Sequence, residues 1–358
     1  MNKLLFQCIT EWLRRQTPPK SVKHVEDIGA TIGTTIGHVR SDNQDRAIIV
    51  RYRTSTPNQS FLLFALCDGM GGMREGGNCA AMTMGTIVAS LVVEQQQKPL
   101  SLRLKEAVLR ADEEVYKRYQ GEGGTTLSAV IFSHSKNPIG LNIGDSRIYQ
   151  YLKKGSVTQI SRDDSIAEQV KQIKETNTAD LDNEISNSLV QFVGFGEGLQ
   201  PHIIEAPIFS EQTSLLLSSD GTHTIEKKTF GNIIHFAPST ANVVERLICL
   251  SEWYGGKDNA SVIFIPPNAN TDLSISQTCS KMLEIWDSFA TLCYAGPTEA
   301  YDEPKNSAPS EKTVEHTSLK ETVVHQPKKG TKKSYKKTPK KIESSVVIEI
   351  GGNDDSNS

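Results

Sequence analysis

The chain has 358 residues, a formal net charge of −3 and a hydrophobic share of 37%, with a pI near 6.3. That length buries a full core and leaves room for appendages. The near-neutral balance excludes a global field for nucleic acid or anionic membrane. No apolar run approaches the roughly 20 residues of a membrane span, and MNKLLFQCITEWLRRQTPP is too interrupted by polar and charged residues for a secretory signal. The six cysteines (Cys8, Cys67, Cys79, Cys249, Cys279 and Cys293) form no CxxC pair and no zinc-like spacing, which reads as reduced thiols in a cytoplasmic protein.

Residues 1–20 predict an N-terminal amphipathic helix. Leu4, Leu5, Cys8, Ile9, Trp12 and Leu13 share one stripe that ends before Pro18 and Pro19. Residues 24–267 have the texture of one α/β domain. Strands are expected at 47–53, 60–67, 127–133, 138–142, 147–152, 202–209, 214–218 and 260–265, where β-branched runs are bounded by glycine, proline and polar breaks. Helices are expected at 75–97, 101–119, 165–174 and 239–254. The first two follow one another without an intervening strand, which disfavours a parallel βαβ repeat. Residues 273–295 give one more helical pattern through Met282, Leu283, Trp286, Phe289 and Leu292. Residues 296–358 read as a disordered Lys-rich tail with a terminal hydrophobic, strand-like segment. Eight lysines fall between Lys328 and Lys341 with no acid among them, a tract suited to docking an acidic partner.

Five aspartates stand out by position. Asp68 follows FLLFALC and opens DGMGG; Asp220 follows SLLLSS and opens DG. An aspartate at the end of a buried strand, followed by glycine, projects a carboxylate at a rim where the backbone turns sharply. Asp45 ends RSDNQD, Asp145 lies in NIGDSR, and Asp258 lies in GGKDNAS just before a strand. Any one of them alone reads as a turn residue or helix cap. Five together point to oxygen ligands gathered for hard divalent cations.

The ordered series GHVRSDNQD, FALCDGMGGMREGG, GGTTLSAVIF, NIGDSRIYQY, SRDDSIAEQ, LLLSSDGT and GGKDNASVIFI resembles the type-2C metal-dependent protein phosphatases, in the DGMGG form typical of bacterial members. The resemblance covers roughly residues 26–266. It implies a four-layer αββα sandwich, two antiparallel sheets flanked by helix pairs, with a binuclear metal centre at one end. It implies hydrolysis of phosphoserine and phosphothreonine by a water held between two Mn²⁺ or Mg²⁺ ions, with a third, weaker ion beside them. Residue by residue, Asp68 matches the bridging carboxylate and Gly69 the carbonyl completing one shell. Asp220 and Asp258 match the remaining carboxylates, and Asp45 the acid that acts mainly through the outer shell. Asp145 with Asp220 matches the third site, and Arg40 the arginine that grips the phosphate. Phosphorylated proteins and an opposing Ser/Thr kinase follow as partners.

The departures are Gln44 where many relatives carry glutamate, Met70 where eukaryotic members carry the histidine often proposed as general acid, and Asp164 where a histidine is common. Gln44 and Met70 keep an alternative in view: a catalytically weak, phosphoprotein-binding relative on the same fold. No GxxxxGK[ST] occurs, so Gly124-Thr125-Thr126 is not read as a nucleotide loop.

Overall fold

The β-branched and aromatic runs pair into two antiparallel sheets. The computed structural model describes residues 1–93, 98–134, 136–152, 156–174, 188–205, 209–275, 280–296 and 346–350. One sheet holds β1 (Lys20–Val25), β2 (Ala30–Thr35), β11 (Ala260–Ile265), β10 (Thr213–Ser218), β7 (Arg147–Leu152) and β8 (Ser156–Gln159) in the order β1-β2-β11-β10-β7-β8. The other runs β14-β13-β12-β3-β4-β5-β6-β9. Its strands are β14 (Val346–Ile350), β13 (Ala290–Gly296), β12 (Lys281–Trp286), β3 (Arg46–Thr54), β4 (Phe61–Cys67), β5 (Leu127–Ser133), β6 (Lys136–Ile143) and β9 (His202–Ile204).

Strand β4 shows why these sheets stack. Its seven residues are all buried, because alternate side chains serve opposite faces. Phe61, Leu63, Ala65 and Cys67 pack under helices α2 (Gly76–Leu91) and α3 (Leu100–Tyr119). Leu62, Phe64 and Leu66 meet Ile32, Ile148, Leu215, Leu217 and Ile263 of the other sheet. Outside that second sheet, Val243, Val244, Leu247 and Ile248 of a helix at Thr240–Trp253 cover Leu216, Val262 and Phe264, joined by Phe230 from Lys227–Phe236. The result is the expected αββα sandwich.

The N-terminal helix α1 (Lys3–Arg14) lies on α2, where Gly85 permits the approach: a Cβ there would collide with Thr10. Asn2 caps α1 by accepting from the Leu5 amide at 3.1 Å. Among the described residues no helix is long and apolar enough to cross a membrane.

One expectation is overturned. The described residues between 273 and 295 form no helix, and the sandwich does not stop at 267. β12 pairs with β3 inside the larger sheet, and β13 continues it. Leu283 and Ile285 enter one core layer and Trp286 the other, so both faces of the strand are apolar and the period of two is masked. Asp287 makes the hairpin turn, accepting from the amides of Phe289 (3.0 Å) and Ala290 (2.7 Å). The disordered-tail expectation falls on residues outside those described, apart from Gly296, which ends β13, and 346–350. That segment pairs antiparallel with β13, from Val346 opposite Tyr294 to Ile350 opposite Ala290.

Candidate active site

Antiparallel register brings the five aspartates to one end of the sandwich. Arg46 at the start of β3 stands opposite Cys67 at the end of β4. Arg147 at the start of β7 stands opposite Ser218 at the end of β10, which also pairs with Val262 near the start of β11. Asp45, Asp68, Asp145, Asp220 and Asp258 each lie within two residues of one of those strand ends, or of the end of β6. Arg40, Asp68, Gly69, Met70, Gly71, Gly72, Asp145, Asp220 and Asp258 line a cleft of about 680 Å³, with Thr126, Ser188 and Leu189. Asp45 is buried behind that cleft, only 3% exposed.

The loops that carry these carboxylates are held by their surroundings. The Asp68 amide donates to Thr126 Oγ1 (3.0 Å), and its carbonyl accepts from Thr125 Oγ1 (2.8 Å) and the Thr126 amide (2.9 Å). Gly69 crosses the backbone of Gly76 so closely that a Cβ on Gly69 would strike it, so the DGMGG loop is pinned against the start of α2. Ser219 Oγ donates to Asp45 Oδ2 at 2.8 Å and accepts from the Ser261 amide at 2.8 Å. Asn259 accepts from the Gln44 amide (2.8 Å) and donates to the carbonyls of Ile36 and Asp42 (3.0 Å each), tying the Asp258 loop to the Arg40–Asp45 loop. Ser219, Ser261, Asn259, Thr125 and Thr126 were not singled out from the sequence. Asn259 and Ser219 left a local sign there, as the chain neighbours of Asp258 and Asp220.

Burial raises the Asp45 carboxyl to about 6, with Asp220 and Asp258 adding repulsion. Burial and then Asp220 raise Asp145 to about 7. Burial and the four other acids push Asp68 well above its ordinary value. Burial, then Asp258, raises Asp220. Opposing this charge, Arg40 Nη2 donates to Asp258 Oδ2 at 2.6 Å. Among the described residues no three His, Cys, Asp or Glu side chains form a ready-made ligand shell. Two observations still fit a cation at this position. Asp45 Oδ1 and Asp220 Oδ1 are buried without a hydrogen-bond partner, and the donor set is all oxygen, as hard cations require.

Of the departures, Met70 faces the cleft. Gln44 Oε1 sits beside Gly71, at 3.4 Å from where a Cβ there would lie. Asp164 lies outside the cleft lining and binds structure instead, accepting from the Gly144 amide (2.9 Å) and pairing with His202 Nε2 (2.7 Å). Its carboxylate therefore braces the loop that carries Asp145 against strand β9.

Comparison with known proteins agrees with this geometry. Residues 32–248 match the family model described as Protein phosphatase 2C. A serine/threonine phosphatase, stp, of Listeria welshimeri is 26% identical over 252 residues, covering 67% of this chain and 96% of that protein. PstP of Mycobacterium tuberculosis, a serine/threonine protein phosphatase, is 27% identical over 225 residues, covering 61% of this chain and 43% of its own length. Among solved structures, the PPM Ser-Thr phosphatase MsPP of Mycobacterium smegmatis, in complex with cacodylate, superposes with a TM-score of 0.55 at 26% identity, over 66% of this chain and 97% of that one. With the fold, the acid-lined cleft and a family match across most of both sheets in hand, the chain belongs to the protein phosphatase 2C family.

Proposed function

We propose that this chain hydrolyses phosphoserine and phosphothreonine in proteins, at the cleft lined by Arg40 and four aspartates with Asp45 behind them. The carrying observation is charge: five carboxylates converge on one rim, and Arg40 is the cation among the described cleft-lining residues. In this reading Asp68, the Gly69 carbonyl, Asp220 and Asp258 hold two Mn²⁺ or Mg²⁺ ions, Asp145 with Asp220 serves a third, and Asp45 acts from behind. The ions supply the activated water and neutralise charge on the phosphoryl oxygens. Arg40 leaves Asp258 to bind phosphate oxygens in a fork that lysine does not reproduce. The shallow, open cleft suits a phosphorylated residue on an extended segment. An opposing Ser/Thr kinase, a cytoplasmic setting that keeps the cysteines reduced, and an acidic partner for the Lys328–Lys341 tract complete the reading.

The test is turnover of para-nitrophenyl phosphate and a phosphothreonine peptide with Mn²⁺, with Mg²⁺ and with chelator. Turnover should require metal, and Asp68→Asn should lower kcat by about 10³-fold or more, the scale of losing a central electrostatic element. A folded protein silent with every metal would sink the enzyme reading and favour a phosphoprotein-binding module.

A further inference from the structure

Beside the acid rim runs an apolar strip that the chemistry does not use. Met70 and Leu189 line the cleft itself. Phe192 lies over Gly124, where a Cβ would collide with its ring and would also come within 3.2 Å of Met70 Sδ. The Phe195 ring stands edge-on to Phe192, centroids 5.7 Å apart and planes at 88°. Tyr116 of α3 lies beyond, against Gly196. Phe195 is 41% exposed and Tyr116 38%.

The turn that carries Phe195 is built to display it. Asp112, on α3 and only 3% exposed, accepts from the amides of Gly194 (2.7 Å) and Gly196 (3.2 Å). Both glycines have positive φ, 105° and 89°, so neither position accepts an ordinary side chain without strain. Val193 is fixed at the other side by paired backbone hydrogen bonds with Thr125, the residue whose hydroxyl holds Asp68. A buried carboxylate and two left-handed glycines thus fix the backbone on both sides of a large, partly exposed aromatic ring. Aromatic surface held out of the core and continuous with a cleft suits a contact surface.

We propose that Phe195, with Phe192 and Leu189, forms a subsite for a large apolar side chain close in sequence to the phosphorylated residue of a protein substrate. The inference rests on the phosphatase reading above and names the substrate class within it. The same cleft carries Arg40 for the phosphate, its guanidinium against Gly71, so a bound segment places its phosphate at Arg40 and its apolar neighbour on the strip. The occupant is set by continuity: the strip begins inside the cleft at Met70 and Leu189 and leads outward.

The experiment compares two phosphothreonine peptides that differ only in carrying leucine or serine beside the phosphothreonine, with para-nitrophenyl phosphate as a substrate that has no neighbouring side chain to place on Phe195. The wild-type chain should favour the leucine peptide about tenfold in kcat/KM, mostly through KM, the scale of one apolar side chain in a partly open pocket. Phe195→Ser should erase that preference and Phe195→Leu keep most of it, with para-nitrophenyl phosphate turnover equal in all three. Equal use of the two peptides by wild type, or a preference surviving Phe195→Ser, overturns the subsite. So does a fall in para-nitrophenyl phosphate turnover that matches the fall on peptide. If no substrate is turned over, the phosphatase reading has failed by itself; anisotropy binding of the same two peptides to wild type and Phe195→Ser then decides the subsite alone.

Discussion

Two clusters of charge sit on this sandwich, and they are built in opposite ways. On the larger sheet Glu284 of β12 stands directly opposite Arg51 of β3. It accepts from Arg51 Nε at 2.7 Å and Nη2 at 2.9 Å, and from Arg53 Nη2 at 2.9 Å. Arg51 also reaches Asp27 at 3.2 Å and lies 5.3 Å from the Trp286 ring centroid. Two arginines thus meet two acids, and the buried members have partners of opposite sign. At the acid rim four carboxylates line the cleft with Arg40 and Asp45 lies behind them, and two oxygens of the five acids are buried with no partner. A balanced cluster needs nothing further, whereas an unbalanced one is a site for a ligand of the missing sign.

Unbalancing the first cluster should produce the larger effect on stability. Glu284→Ala leaves Arg51, 5% exposed, without its bidentate partner, and removing one member of a buried pair typically costs about 3–5 kcal/mol. Denaturant unfolding should record that loss. Replacing both residues, as Arg51→Met with Glu284→Leu, should recover part of it, because the buried pair goes together and only the half-buried Arg53 and the exposed Asp27 lose a partner. If the double variant is as unstable as the single one, the cluster is not the balanced pair described here.

The unbalanced cluster should respond to pH and metal in a way the balanced one does not. Asp45 has a folded-state value raised to about 6, against an ordinary value near 3.9. Between those values the folded chain binds more protons than the unfolded chain. Stability of the metal-free protein therefore rises as pH falls from 7 toward 4, by on the order of 2 kcal/mol from this group. Asp145, raised to about 7, adds in the same direction and from a higher pH. Bound cations replace the protons and flatten the profile. Thermal unfolding across that pH range, with chelator and with Mn²⁺, checks it. Asp45→Asn should stabilise the metal-free chain at pH 7 and remove part of the slope; a metal-free protein that loses stability on acidification through this range would contradict the picture.

How legible this was in the sequence depended on whether a feature was local. Strands β5, β7 and β11 have the bounds expected from their β-branched runs, and Asp68 and Asp220 announce themselves because each ends such a run before a glycine. β12 was misread because Leu283 and Trp286 serve different core layers, a division that only the stacked sheets reveal. β1 and β2 carry Lys, Thr and Gly in place of a hydrophobic alternation, yet all six residues of β2 are buried once β11 and the helix at Thr240–Trp253 cover them. The supports of the site were hidden for a related reason. Ser219 and Ser261 are ordinary polar residues until the register places both against Asp45, and Asp112 is a helical acid until Gly194 and Gly196 arrive from 82 and 84 residues away. Spacing shows which residues carry chemistry; it does not show what holds them.

The smallest of the expected effects sharpens the comparison most directly, because it keeps the charge and changes only its shape. Arg40 is 41% exposed at its side chain and Asp258 34%, so their 2.6 Å contact is an open ion pair with little weight in stability. Arg40→Lys should leave unfolding within about 0.5 kcal/mol of wild type. Its effect should fall on the phosphate, where a point charge replaces a planar fork, and kcat/KM for a phosphothreonine peptide should drop about tenfold. Inhibition by free inorganic phosphate should weaken by a similar factor, while the Mn²⁺ concentration needed for half-activation stays near wild type. If that metal requirement moves and phosphate inhibition does not, Arg40 serves as counter-ion to Asp258. The one cation among the described cleft-lining residues would then belong to the acid cluster rather than to the substrate, and the rim would be closer to balance than its five carboxylates suggest.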